Sequence, residues 1–198
     1  MNARVPRRSV LIAVTAVLVA ASAFGVYRGT IARDHDTAGG SFEVVLAGSG
    51  SGNRFSVSAT RLVPGDTIER AITITPTGPV SITALRLTTD ATSSSVLDTD
   101  GTNGLQITIR RCSVAWDETL SDGIPVDYDC SGSESTPIAA RPAIMTNQTL
   151  TGALTSDGQV NYLLLHMELP STADNTFLTA TSTIRFTFSG VQRSGEYK

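Results

Sequence analysis

From residue 42 onward, apolar and polar residues alternate one for one along much of the chain. SFEVVL sets Phe42, Val44 and Leu46 on one side, and RFSVSA does the same with Phe55, Val57 and Ala59. Ile68, Ile72 and Ile74 share a side, with Glu69, Thr73 and Thr75 on the other. LQITIRRC resumes the pattern with Leu105, Ile107 and Ile109. VNYLLLHMELP follows with Leu163, Leu165, Met167 and Leu169. STIRFTFSGVQ sets Ile184, Phe186 and Phe188 against Arg185 and Thr187. A period of two marks strands with one face in a core and one in water. In VSITALRLTT the apolar parity shifts between Ile82 and Leu85, which predicts a bulge.

Turn chemistry separates these segments. Pro64-Gly65-Asp66 is a turn, because Pro presets φ and Gly accepts φ > 0. Pro76-Thr77-Gly78-Pro79 reads as a second turn, and the GSGSG run from Gly48 to Gly52 as a hairpin loop. From Asp90 to Gly104 the composition is that of a loop, with a short turn at Val96-Leu97. Thr136 to Gly158 carries only scattered apolar residues and has no assignment. Seven to nine short strands, no strand–helix alternation and no fixed repeat predict an all-β fold. The expected architecture is an antiparallel, jelly-roll-like β-sandwich.

The first residues break this pattern. MNARVPRR carries Arg4, Arg7 and Arg8 and no acid, and an uncharged run follows from Ser9 to Tyr27. A basic start, a short apolar run and small residues at Ala21-Ser22-Ala23 describe a secretory signal cut between Ala23 and Phe24. The alternative is an uncleaved membrane-anchor helix. Both place the rest of the chain across the membrane, because the arginines hold the N-terminus inside. The expected organisation is 1–23 signal or anchor, 24–40 flexible segment, and 41–198 β-sandwich domain. Secretion or cell-surface display follows, with membrane contact only through the N-terminal segment.

The formal net charge is −3, and loss of Arg4, Arg7 and Arg8 leaves 12 basic against 18 acidic residues, near −6. Such an acidic chain is not built to bind nucleic acid. About 175 residues remain after the signal, enough for one domain with a real core.

Cys112 and Cys130 are the only two cysteines. In an oxidising compartment thiols pair. Zinc needs three or four protein ligands, and no C-x-x-C is present for a redox couple. The expected state is a Cys112–Cys130 disulfide, closing a segment rich in Asp and Gly. Trp116, inside it, either packs on the bridge or is exposed to a partner, and packing is favoured.

The other candidate chemistry is thin. No H-E-x-x-H occurs, so the helical zinc-peptidase signature is missing. His166 and Glu168 would share one face of a strand but supply two ligands at most. Asp34-His35-Asp36 lies in the N-terminal segment and reads as a solvated tether. Asp98, Asp100 and Asn103 in DTDGTNG resemble part of a calcium loop, yet no Glu closes it at the twelfth position. Asp117, Glu118, Asp122, Asp127 and Asp129 read as a solvated face. Asn147-Gln148-Thr149 is a formal glycosylation sequon. No G-x-S-x-G is present for a hydrolase elbow. No cofactor, resident metal or catalytic residue is expected.

Taken in order, the signal, LVPGDTIERAITIT, VSITALRL, the C…W…C segment, LLLHMELP and the closing RFTFSGVQRSG resemble the TasA/camelysin family of secreted bacterial proteins. The resemblance spans most of Phe24 to Gly195. It implies a jelly-roll sandwich exported by a dedicated signal peptidase. Some members form extracellular fibres in which the N-terminal segment of one subunit completes the sheet of the next. Carried over, Phe24 to Gly40 is the candidate donor segment, although it is polar and charged here. Where the family has an Asn-x-Gly turn, this chain has Pro76-Thr77-Gly78-Pro79. The expected function is therefore structural: a cell-surface or matrix protein that self-associates or joins another matrix protein. A monomeric adhesion module is the alternative. A camelysin-like metallopeptidase comes third, disfavoured by the missing ligands.

Overall fold

The computed structural model describes residues 42–47, 54–78, 82–121 and 124–192. Eleven strands lie within them: β1 Phe42–Ala47, β2 Arg54–Thr60, β3 Thr67–Thr77, β4 Ile82–Ser93, β5 Gln106–Cys112, β6 Asp117–Ser121, β7 Ile124–Asp129, β8 Glu134–Pro142, β9 Met145–Thr149, β10 Asn161–Glu168 and β11 Thr181–Gln192. One helical turn, α1, covers Val96–Thr99, and a 3-10 turn covers Asn175–Phe177. The signal or anchor, its cleavage site at Ala23 and Phe24, and the 24–40 segment lie outside the described residues.

Two sheets form a sandwich. One has the order β1-β3-β10-β5-β8 and the other β2-β11-β4-β9. All pairs are antiparallel except β1 with β3. The period of two explains the layering. Ile72, Ile74, Ile107, Ile109, Leu163, Leu165 and Met167 fill the inner face of the first sheet. Phe55, Val57, Ala59, Leu85, Leu87, Ile184, Phe186 and Phe188 fill that of the second. Phe55 stacks on Phe186 with ring centroids 4.9 Å apart. The Pro64 turn forms as its residues require: Gly65 has φ +94°, and the Asp66 N–H donates to Val63 O at 2.9 Å.

A small third layer lies on the outer face of the five-stranded sheet. The β6–β7 hairpin is bonded at its base by the Cys112–Cys130 disulfide, with Cα atoms 5.7 Å apart. Trp116 and Tyr128 pack there on Ala71, Leu164 and Cys112, a second apolar cluster apart from the main core.

Several expectations need correction. β1 and β2 belong to different sheets and do not pair with each other, and the GSGSG run between them lies outside the described residues. The strand β3 runs on through Pro76 and Thr77, because β1 still pairs with them, so the second turn starts later than read. β4 continues through Asp90 to Ser93, held by β11, where a loop was expected. The unassigned stretch holds β8 and β9, which pair with β5 and β4. The Asp- and Gly-rich cysteine segment, given no strand in the sequence, holds the paired strands β6 and β7. The bulge near Ile82 is present as a register shift opposite Val191 and Gln192.

Candidate functional site

Two regions carry most of the polar chemistry and the open backbone. The first is the edge of β3. β10 pairs with β3 from Thr67 to Ile74, whereas β1 covers it only from Ile72 to Thr77. Among the described residues, Thr67–Ala71 therefore has a strand neighbour on one side only. The parallel β1–β3 contact is the one that a chain segment arriving from outside the sheet can make without a hairpin, since parallel neighbours need a long connection.

The second is the outer face beside that edge. Strand alternation brings His166 on β10 opposite Glu69 on β3 and Thr108 on β5. His166 Nδ1 lies 2.8 Å from Glu69 Oε1, and Nε2 lies 3.9 Å from Glu168 Oε2. The Glu69 hydrogen bond raises the imidazole pKa above its ordinary value. Burial opposes this, and the Glu69 and Glu168 charges add to it. One register step away, Arg110 forms a two-pronged ion pair with Glu134, 2.5 Å from Nε to Oε1 and 2.8 Å from Nη2 to Oε2. That pair raises the Arg110 pKa and lowers that of Glu134. The Arg110 guanidinium also sits over the Trp116 ring, 5.1 Å from its centroid. The Trp116 indole N–H donates to Tyr162 O at 3.2 Å, which pins the hairpin to β10. Trp116 thus packs at the bridge, as expected.

His166 and Glu168 do share a face, but Glu69 enters from 97 residues away and no sequence spacing announces it. Among the described residues, no group of three or more His, Cys, Asp or Glu side chains gathers as metal donors. Asp98 belongs to a helix cap. Its Oδ1 accepts from the Ser95 N–H at 2.7 Å and from the Ser182 hydroxyl, and its Oδ2 accepts from Ser94 Oγ at 2.7 Å. Burial would raise its pKa, but these bonds outweigh it and the net direction is down. Asp100 Oδ1 accepts from the N–H groups of Thr102 at 2.8 Å and Asn103 at 2.9 Å. Asn103 Oδ1 accepts from Thr172 Oγ1 at 3.0 Å. The three calcium candidates are thus engaged in building the α1–β5 corner. Gly104 is needed there, since a Cβ on it would meet Leu97 O at 2.7 Å. Asp117, Glu118, Asp127 and Asp129 are exposed on the hairpin. Asp34, His35 and Asp36 lie outside the described residues, as does Asp122. Asn147 of the sequon is exposed and has φ +51°.

An open cleft of about 570 Å³ lies at the end of β2, lined by Thr60, Arg61, Leu178, Thr179 and Thr181. No helix among the described residues is long and apolar enough to cross a membrane. No protein-family model matches this chain, and no curated protein matches it in sequence.

Proposed function

We propose that the chain is an exported cell-surface or extracellular-matrix structural protein that assembles into fibres by β-strand donation. The observation that carries this reading is the edge of β3, where, among the described residues, Thr67–Ala71 continues beyond the parallel strand β1. The N–H and C=O groups along such an edge accept an incoming strand, which here displaces the 2.6 Å hydrogen bond from Arg70 Nη1 to the Glu69 carbonyl. The donor is the 24–40 segment of a neighbouring subunit, which directly precedes β1. The jelly-roll connectivity of the TasA/camelysin family fits a sandwich of this kind, and the disulfide fits an oxidising compartment outside the cell. Export uses the N-terminal signal and a signal peptidase. Catalysis has no part in this role.

Negative-stain microscopy tests it. Oxidised protein beginning at Phe24 is incubated for days beside protein beginning at Ser41. Filaments in the first sample alone are expected. Compact particles in both would replace this reading with the monomeric adhesion module.

A further inference from the structure

The two flanks of the sandwich differ in how their edge strands are protected. On one flank β8 passes into β9 through Ala143 and Ile144, so the chain itself crosses between the sheets. β8 carries Pro137 and Pro142, which lack a donor, and its register against β5 shifts twice. β9 is only five residues long, holds Asn147 at φ +51°, and shifts register against β4. Prolines, bulges and short length are the devices that stop sheet edges from pairing with other chains.

β2 on the opposite flank has none of these. Among the described residues it is the last strand of its sheet, and it pairs with β11 without a register shift, from Thr60↔Thr181 to Arg54↔Thr187. Between Ser56 and Thr60 it has no Pro, Gly or charged residue. Val57 and Ala59 face the core, while Ser56, Ser58 and Thr60 are exposed. We propose that this edge pairs antiparallel with the same edge of a second copy of this chain, about a two-fold axis at Ser58.

Self-complementarity selects the occupant. A two-fold at Ser58 sets Ser56 opposite Thr60 and Val57 opposite Ala59. Hydroxyl meets hydroxyl on the wet face, apolar meets apolar on the core face, and no charges meet. Ser58 Oγ already lies 3.1 Å from Thr183 Oγ1 on β11. The pairing extends that hydroxyl ladder from Thr183 through Ser58 to the second Ser58 and its Thr183. Cross-strand Ser/Thr pairs are favourable units of sheet pairing. The contact is isologous, so it closes as a dimer and forms one eight-stranded sheet from two four-stranded ones. It does not depend on strand donation at β3.

Charge introduced at one position tests this in oxidised protein beginning at Ser41, which holds every described strand and lacks the donor segment. Sedimentation equilibrium over micromolar to near-millimolar concentrations should show a reversible monomer–dimer equilibrium. S58K and S58D each place like charges opposite one another across the axis. Each should weaken the dimer by up to about fivefold, with the melting temperature retained. An equimolar mixture of S58K and S58D should restore it. Hydrogen exchange on the unmodified protein gives a variant-free check: amide protection in Ser56–Thr60 should rise with concentration. A monomer at every concentration, a dimer indifferent to both substitutions, or a mixture that stays monomeric would overturn the proposal. Fibres lost on removing 24–40 while the dimer persists would separate the two contacts.

Discussion

His166 stands between two carboxylates on the wet face of β10, and its titration sets a pH dependence. Its folded-state pKa is raised, first by the hydrogen bond to Glu69. Folding therefore favours the protonated ring. The stabilisation is complete below the ordinary imidazole value of 6.5 and is lost as pH rises through the higher folded value. The urea midpoint should accordingly fall from about pH 6 toward pH 8, and Glu69→Gln should flatten that slope. An unchanged slope in Glu69→Gln would remove Glu69 as the cause. At this scale the sequence is half legible. A strand period of two places His166 and Glu168 on one face, because both belong to one strand. Glu69 is invisible, because its approach depends on the register of β3 against β10. Asp98 shows the same limit. Its short-range spacing suggested a cation loop, while its position behind Ser95 and against Ser182 makes it a buried cap.

The element most dependent on a single bond is the β6–β7 hairpin. Among the described residues it forms a two-stranded sheet of its own, and such pairs are marginal alone in water. Its anchors are the disulfide, the Trp116 and Tyr128 packing, and the Trp116–Tyr162 hydrogen bond. Replacing both cysteines by serine should cost about 3 kcal/mol, from the entropy of a loop with sequence separation 18. Trp116 emission should shift to longer wavelength as the ring leaves Leu164 and meets water. Native emission in the double variant would mean that packing alone holds the hairpin. The disulfide was legible from compartment and cysteine count. The hairpin was not, because Asp117, Glu118, Thr119, Leu120, Asp127 and Asp129 are exposed and DETLS and IPVDYD carry no long apolar alternation. Their register is held by the bridge and by the sheet beneath. β8 and β9 are not legible for a related reason: edge strands bury few side chains, so the pattern that marks a strand is diluted by prolines and polar residues.

Across the whole molecule the main core joins both sheets through Phe55, Phe186 and Phe188, with Phe186 fully buried. Phe186→Ala should cost about 3–5 kcal/mol and lower the melting temperature in one cooperative step. A loss below about 1 kcal/mol would mean that the two inner faces do not share one packed interior. The inner-face residues were readable in advance on β2, β3, β5, β10 and β11, where apolar residues recur with a period of two. Leu164 was not, since it points to the opposite face of β10 and is buried only because the hairpin covers it.

The amino-acid sequence by itself determined the all-β class, most of the inner faces, the Pro64-Gly65-Asp66 turn and the pairing of the two cysteines. These follow from local rules: side-chain period, backbone preference, and a choice of one partner for one thiol. Only the tertiary structure decided the sheet order, the parallel placement of β1, the hairpin laid over Leu164, and the contrast between a guarded flank and the open edge of β2. Those depend on which strands become neighbours. That choice is made by packing between segments far apart in the chain, where no local pattern reaches.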